Sequence, residues 1–122
     1  MKVTKEQIIN GVVSFAETEV IPQVDDKATQ ILAAIFVRYV KANTKLVDTL
    51  FENQMVKTLL EADENGMYET DGIFQIVSES IRQYGPFPVE IPPIPFISPT
   101  EKSLRFNESD ISEIKRRIER SN

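Results

Sequence analysis

The 122-residue sequence contains no His, no Cys and no Trp, and only four Gly. Each absence removes a class of chemistry. Without His or Cys, neither a Ser-His-Asp triad nor a Cys-His pair can be assembled. Zinc fingers, His- or Cys-ligated haem and iron–sulfur sites and disulfides are excluded as well. Gly11, Gly66, Gly72 and Gly85 are too scattered to form a GxGxxG or GxxxxGK[ST] phosphate loop. Long apolar runs are also missing. The longest, Ile31 to Val37, falls far short of the ~20 residues a membrane span needs. The N-terminal stretch MKVTKEQIINGVVSFAE has neither the h-region nor the cleavage site of a signal peptide. The expectation is a cytoplasmic chain with no membrane association and no cofactor.

Positive charge is in the minority. Fourteen Lys and Arg stand against nineteen Asp and Glu, for a formal net charge of -5 and a pI near 4.8. This balance disfavours general nucleic-acid binding, which needs a basic face. What is present suits one folded domain over residues 1–122: 41% hydrophobic and 27% charged residues fit an ordinary globular composition.

The pattern is helical. Thr4 with Gln7 forms a capping box and Val3 with Ile8 a hydrophobic staple. They open a helix over about Lys5 to Glu19, which Pro22 closes. Asp25 and Asp26 are acceptable caps for a second helix, about Lys27 to Ala42. This helix is apolar nearly all round and therefore reads as the buried central helix. Thr44 opens a third, with Val47, Phe51, Met55 and Leu59 at four-residue steps. It continues to about Glu61, or divides near Asn53–Gln54. Asn65-Gly66 signals a turn. A fourth helix starts at Thr70 or Asp71 and stops at Gly85-Pro86.

Residues 1–85 thus form a helical core, and residues 86–107 differ in kind. Six of the seven prolines fall in PFPVEIPPIPFISP, Pro86 to Pro99, interleaved with apolar residues. A helix is impossible there and extended chain is expected. Ser103-Leu104-Arg105-Phe106 alternates as a short strand and can pair with Phe87 to Ile91. Asn107 with Asp110 caps a last helix over 108–122, whose stripe is Ile111, Ile114 and Ile118. That stripe either closes the intramolecular core or meets a second subunit. The fold class is mainly α: a compact bundle of four to five helices, a proline-rich extended segment and room for a two-stranded β ribbon.

Two charged constellations stand out. The acidic loop Glu61 to Gly72 resembles an EF-hand calcium loop, with Glu61, Asp63, Asn65 and Glu69 at ligand positions. Gly72 occupies the twelfth position, where a bidentate Glu belongs, so the loop reads more readily as a solvated acidic turn. Glu61 and Glu64 also make one ExxE magnesium motif, with no second pair to complete it. A carboxylate metal-binding module or metal-dependent hydrolase, extending over Glu61, Asp63, Glu64, Glu69 and Asp71, is the alternative reading. In the last helix Lys115, Arg116, Arg117 and Arg120 follow Glu108 and Asp110, the order that complements a helix dipole.

The segments EVIPQVDDKATQI and GPFPVEIPPIPFISPTEKSLRFNESDISEIK together resemble small uncharacterised proteins of prophages and related mobile elements of Gram-positive bacteria. The resemblance implies a head, tail or other virion-assembly role and brings no known active site with it. With the catalytic toolkit missing, the leading expectation is a non-enzymatic interaction or assembly protein that binds a protein partner or itself. Its candidate contact residues are Phe87, Ile94, Phe96 and Ile97, with Ile111, Ile114 and Ile118.

Overall fold

The computed structural model describes residues 1–89 and 104–121. Among them are six α-helices and two separate two-stranded antiparallel ribbons. The mainly helical class and the small ribbon agree with the sequence. Ile94, Phe96 and Ile97 lie outside the described residues.

β1 (Lys2–Val3) leads into α1 (Lys5–Phe15). The capping box forms as read: Gln7 N donates to Thr4 Oγ1 at 3.1 Å, and Thr4 N donates to Gln7 Oε1 at 2.9 Å. α1 ends earlier than the pattern suggests. Ala16–Val20 widens into a π turn and Ile21–Gln23 tightens into a 3-10 turn around Pro22. The change falls where two side-chain donors crowd one carbonyl. Thr18 Oγ1 donates to Ser14 O at 3.0 Å and Arg117 Nη1 donates to it at 2.9 Å. They compete for the acceptor that the regular ladder would use.

α2 (Lys27–Ala42) begins at the Asp26 cap, whose carboxylate accepts from Thr29 N at 2.9 Å. The next stretch divides in two, α3 (Thr44–Glu52) and α4 (Gln54–Leu59), at Asn53. Asn53 is extended, and its side chain caps α4 by accepting from Met55 N. A turn with Gly66 at φ 73° leads to β2 (Tyr68–Glu69), which pairs Lys2 with Glu69 and Val3 with Tyr68. No pattern in the sequence marks this ribbon, because two-residue strands carry no period. α5 (Asp71–Tyr84) stops at Gly85, φ 88°, a backbone that favours glycine. β3 (Phe87–Val89) then pairs with β4 (Leu104–Phe106), Phe87 opposite Phe106. α6 (Glu108–Arg120) opens on the Asn107–Asp110 capping box.

The central pair is α1 against α6, not α2. Val3, Ile8 and Ile118 form the innermost cluster, with Phe51, Tyr68, Phe74 and Ile114 packed around it. Gly11 permits the close approach: a Cβ there would lie 2.5 Å from the Ile118 backbone nitrogen. The reading of α2 as the buried central helix is therefore corrected. Its only buried residue is Thr29. Ala33, Ala34, Val37 and Val40 are half-buried, and the opposite side stands in solvent. An all-apolar helix normally signals burial. Here the α6 isoleucine stripe already fills the seam beside α1, so α2 docks by one face only.

Candidate functional site

The acidic loop is tied up by the chain's own cations and amides. Asp63 Oδ1 accepts from the backbone nitrogens of Asn65 and Met67, both at 2.9 Å, and its Oδ2 accepts from Lys2 Nζ at 2.9 Å. Lys2 and the Met67 amide hold its carboxyl below the usual aspartate range. Glu69 accepts from the Met1 ammonium at 2.7 Å and from the Asp71 amide at 3.1 Å. Asp71 pairs with Lys115 at 2.8 Å and with the Met1 ammonium at 2.7 Å, and these cations pull its carboxyl down to about 2. Glu61, Glu64 and Asn65 stand exposed on the turn. Among the described residues no group of three or more His, Cys, Asp or Glu converges to hold a metal ion.

Thr70, one of the two expected caps of α5, holds the cap position without capping. Its hydroxyl donates to Met1 O at 3.2 Å and to Glu119 Oε1 at 3.4 Å, joining the first ribbon to α6.

Three of the four cations of α6 are likewise committed, and Arg120 stands exposed with no ion pair among the described residues. Lys115 also reaches Glu119 at 3.2 Å. Arg116 pairs with Glu113. Arg117 donates to Glu113 at 2.9 Å and to Ser14 Oγ at 3.1 Å, and its guanidinium sits 5.8 Å from the centre of the Phe15 ring. Phe15 in turn meets Phe106 edge-on at 5.7 Å. Arg117 is thus a strut between α6 and the π turn. A cleft of about 320 Å³ between α5 and α6 is lined by Asp71, Phe74, Ser78, Arg82, Ile111 and Lys115. Both of its cations are spoken for, Arg82 by Glu79 and Glu108 and Lys115 by Asp71 and Glu119.

Of the interface residues expected from sequence, Ile111 (7% exposed) and Ile118 (2%) are core residues, and Ile114 packs against the same cluster. The isoleucine stripe therefore closes the intramolecular core. Phe87 is placed in β3 opposite Phe106.

Among the described residues the exposed apolar surface lies elsewhere. On α2, Ile31 (52% exposed), Ile35 (58%), Phe36 (56%) and Tyr39 (57%) all face solvent. Ile31, Ile35 and Tyr39 are spaced four apart and line one stripe. Ala28 and Ala42 extend the stripe at its ends, both exposed. Sequence reasoning missed this face, although one signal pointed to it. Arg38, three residues after Ile35 and seven after Ile31, falls on the same side. A charge there marks a face that is not buried. Further exposed apolar residues, Met55, Leu59, Ile76 and Tyr84, are divided between α4 and α5.

The fold and this surface define the chain as a mainly helical protein with an uncovered apolar helix face. No family model, no curated protein and no solved structure matches it. No helix among the described residues is long and apolar enough to cross a membrane.

Proposed function

We propose that the chain is a non-enzymatic protein-interaction or assembly protein and that the outer face of α2 is its principal contact surface. One observation carries this reading: four large apolar side chains on a single helix are each more than half exposed. Contiguous exposed apolar surface of this kind marks interaction sites in stable proteins. The charged clusters support the same reading from the other side, because their carboxylates and cations are largely consumed by internal pairs. Among the described residues the proposed contact surface is thus α2, while the proline-segment candidates Ile94, Phe96 and Ile97 lie outside them. The cytoplasm of a bacterial host, and a virion structural or accessory role there, is the setting we propose for it, on the sequence's resemblance to prophage-encoded proteins alone.

The test is site-specific photo-crosslinking in cells that naturally carry the gene. A photoreactive residue at Ile31 should give covalent protein adducts, whereas one at Glu64, on the exposed acidic turn, should not. Equal, background-level adduct formation at the two positions would refute the reading.

A further inference from the structure

We propose that the outer face of α2 pairs with the same face of a second copy of this chain, antiparallel about a two-fold axis at Ile35. The inference rests on the interaction reading above and names the partner.

The apolar members of the stripe read the same in both directions. From its N-terminal end it runs Ala28, Ile31, Ile35, Tyr39, Ala42: small, large, isoleucine, large, small. In an isologous interface the same patch meets itself, residue i touching j and j touching i, so the patch must be self-complementary. With Ile35 on the axis, Ile31 lies opposite Tyr39 of the second copy, and Ala28 lies opposite Ala42. Arg38, at one edge of that side, falls opposite the half-buried Leu32 of the second copy, where its charged end can stay in water. The alanines at both ends let the two backbones draw together where the large side chains give out.

Charge selects the direction. Within Lys27–Ala42 the helix carries Lys27, Arg38 and Lys41 and no acid, while Asp25 and Asp26 precede it and Lys45 follows it. Neither Lys41 nor Lys45 has an ion-pair partner among the described residues. Antiparallel pairing brings the acidic entry of each helix beside the basic exit of the other, twice over, and aligns the helix dipoles favourably. Parallel pairing would set Asp against Asp and Lys against Lys. A partner of unrelated sequence would have to supply both the apolar stripe and this charge order, whereas a second copy already has them.

The area is that of a small interface. Ile31, Ile35 and Tyr39 at their observed exposures present roughly 350 Å² per copy, given the size of such side chains. Phe36, about 100° further round the helix, flanks the seam rather than entering it. Two copies bury about 700 Å² from these side chains alone, so the size of a specific interface, about 1,000 Å², is reached only with the flanking residues. Ala28, Ala42 and the half-buried Leu32 add to it.

The chain has no native Cys, so engineered thiols give a clean test of register. The purified full chain should sediment at twice 13.9 kDa, and Ile35→Asp should return it to the monomer with an unchanged circular dichroism spectrum. Ile35→Cys, on the axis, should form a disulfide dimer on mild oxidation. Ile31→Cys alone should not, since its two copies stand about 12 Å apart along the axis, beyond the ~7 Å Cα reach of a disulfide. Ile31→Cys combined with Tyr39→Cys should cross-link. A wild-type monomer at every soluble concentration overturns the proposal, as does Ile31→Cys cross-linking as readily as Ile35→Cys. If the purified chain is monomeric while the Ile31 photoprobe captures a different protein in cells, self-pairing fails and the interaction reading stands. If the probe captures nothing, or maps to residues 90–103 of its own chain, both fail.

Discussion

Gly11→Ala tests the central packing of the fold most directly. A Cβ on Gly11 would lie 2.5 Å from the backbone nitrogen and Cγ1 of Ile118 and 2.6 Å from its Cα. The side-chain atom can rotate away, but the two backbone atoms cannot, so α6 must retreat from α1. A retreat of even 0.5–1 Å forfeits a quarter to a half of the dispersion energy at each affected contact. Overpacking of this kind costs about 1–3 kcal/mol, and the rigid backbone contact places Gly11→Ala at the upper end. Alanine returns about 1 kcal/mol through its higher helix propensity. The net expectation is a loss of about 2 kcal/mol, or a melting temperature lower by roughly 8 °C for a chain of this size. Gly72→Ala is the matched control. Gly72 lies in the first turn of α5 and has no atom within 4 Å of its would-be Cβ. There the same substitution should stabilise by about 0.5–1 kcal/mol. Thermal melts followed by circular dichroism should move the two variants in opposite directions. A Gly11→Ala melting temperature at or above wild type would refute the close crossing of α1 and α6.

The remaining predictions concern charge. Asp71 is held at about 2 against an ordinary 3.8, and Asp63 and Glu69 are lowered too. Their contribution is complete above the ordinary carboxylate range and is lost as pH falls through the lowered values. The Met1 ammonium is raised above 8.0, so its contribution is complete below pH 8 and is lost as pH rises through the raised value. Melting temperature at low salt should therefore hold a plateau between these limits and decline on both sides; a flat profile from pH 4 to pH 2 would contradict the pairing. Arg117→Lys keeps the charge but loses the planar fork that reaches Glu113 and Ser14 together. It should lower stability by about 1 kcal/mol, and amide exchange should quicken first in residues 14–20; unchanged exchange there would remove the strut role. Millimolar calcium or magnesium should leave the melting temperature unchanged, because Lys2, Lys115 and the Met1 ammonium already neutralise the loop carboxylates. A rise of several degrees would favour the metal-binding alternative.

Local chemistry made most of the elements legible. The Thr4–Gln7 and Asn107–Asp110 boxes mark their helix starts, and Gly85 marks the end of α5. Alternation in Leu104-Arg105-Phe106 located the ribbon partner of Phe87–Val89. Information that resides in tertiary competition was not legible. The π turn depends on Arg117 reaching Ser14 across about a hundred residues of chain. The rank of α2 depends on which helix wins the place beside α1. Periodicity describes the faces a helix has, not which of them finds a neighbour. The deciding residue was Gly11, whose missing side chain admits Ile118 to the seam and which no pattern of apolar positions reveals. The acidic loop shows the same limit. Its spacing suggests ligands, and only the fold brings Lys2 and Lys115 close enough to occupy them.

That occupancy bears on function. A site that binds a charged ligand keeps some charge unpaired for it, because an internal ion pair must be broken before the ligand can be engaged. In this chain the loop acids Asp63, Glu69 and Asp71 and the α6 cations Lys115, Arg116 and Arg117 are spent on one another or on neighbouring groups. The apolar surface shows the reverse economy. Ile31, Ile35, Phe36 and Tyr39 remain in water on a helix whose other face is docked. Exposed charge is inexpensive to keep and its loss is readily tolerated. Exposed aliphatic and aromatic surface on a well-capped helix promotes association whenever a complementary surface is near. This chain pairs Asp63, Glu69 and Asp71 of its acidic loop and most cations of its last helix, while four large apolar side chains of α2 stand in water. Its freest binding surface among the described residues is therefore on that helix, which is the basis of the interaction role proposed above. The proposed second copy would complete that face with surface of the same kind, and the cross-linking pattern of Ile31→Cys against Ile35→Cys decides it.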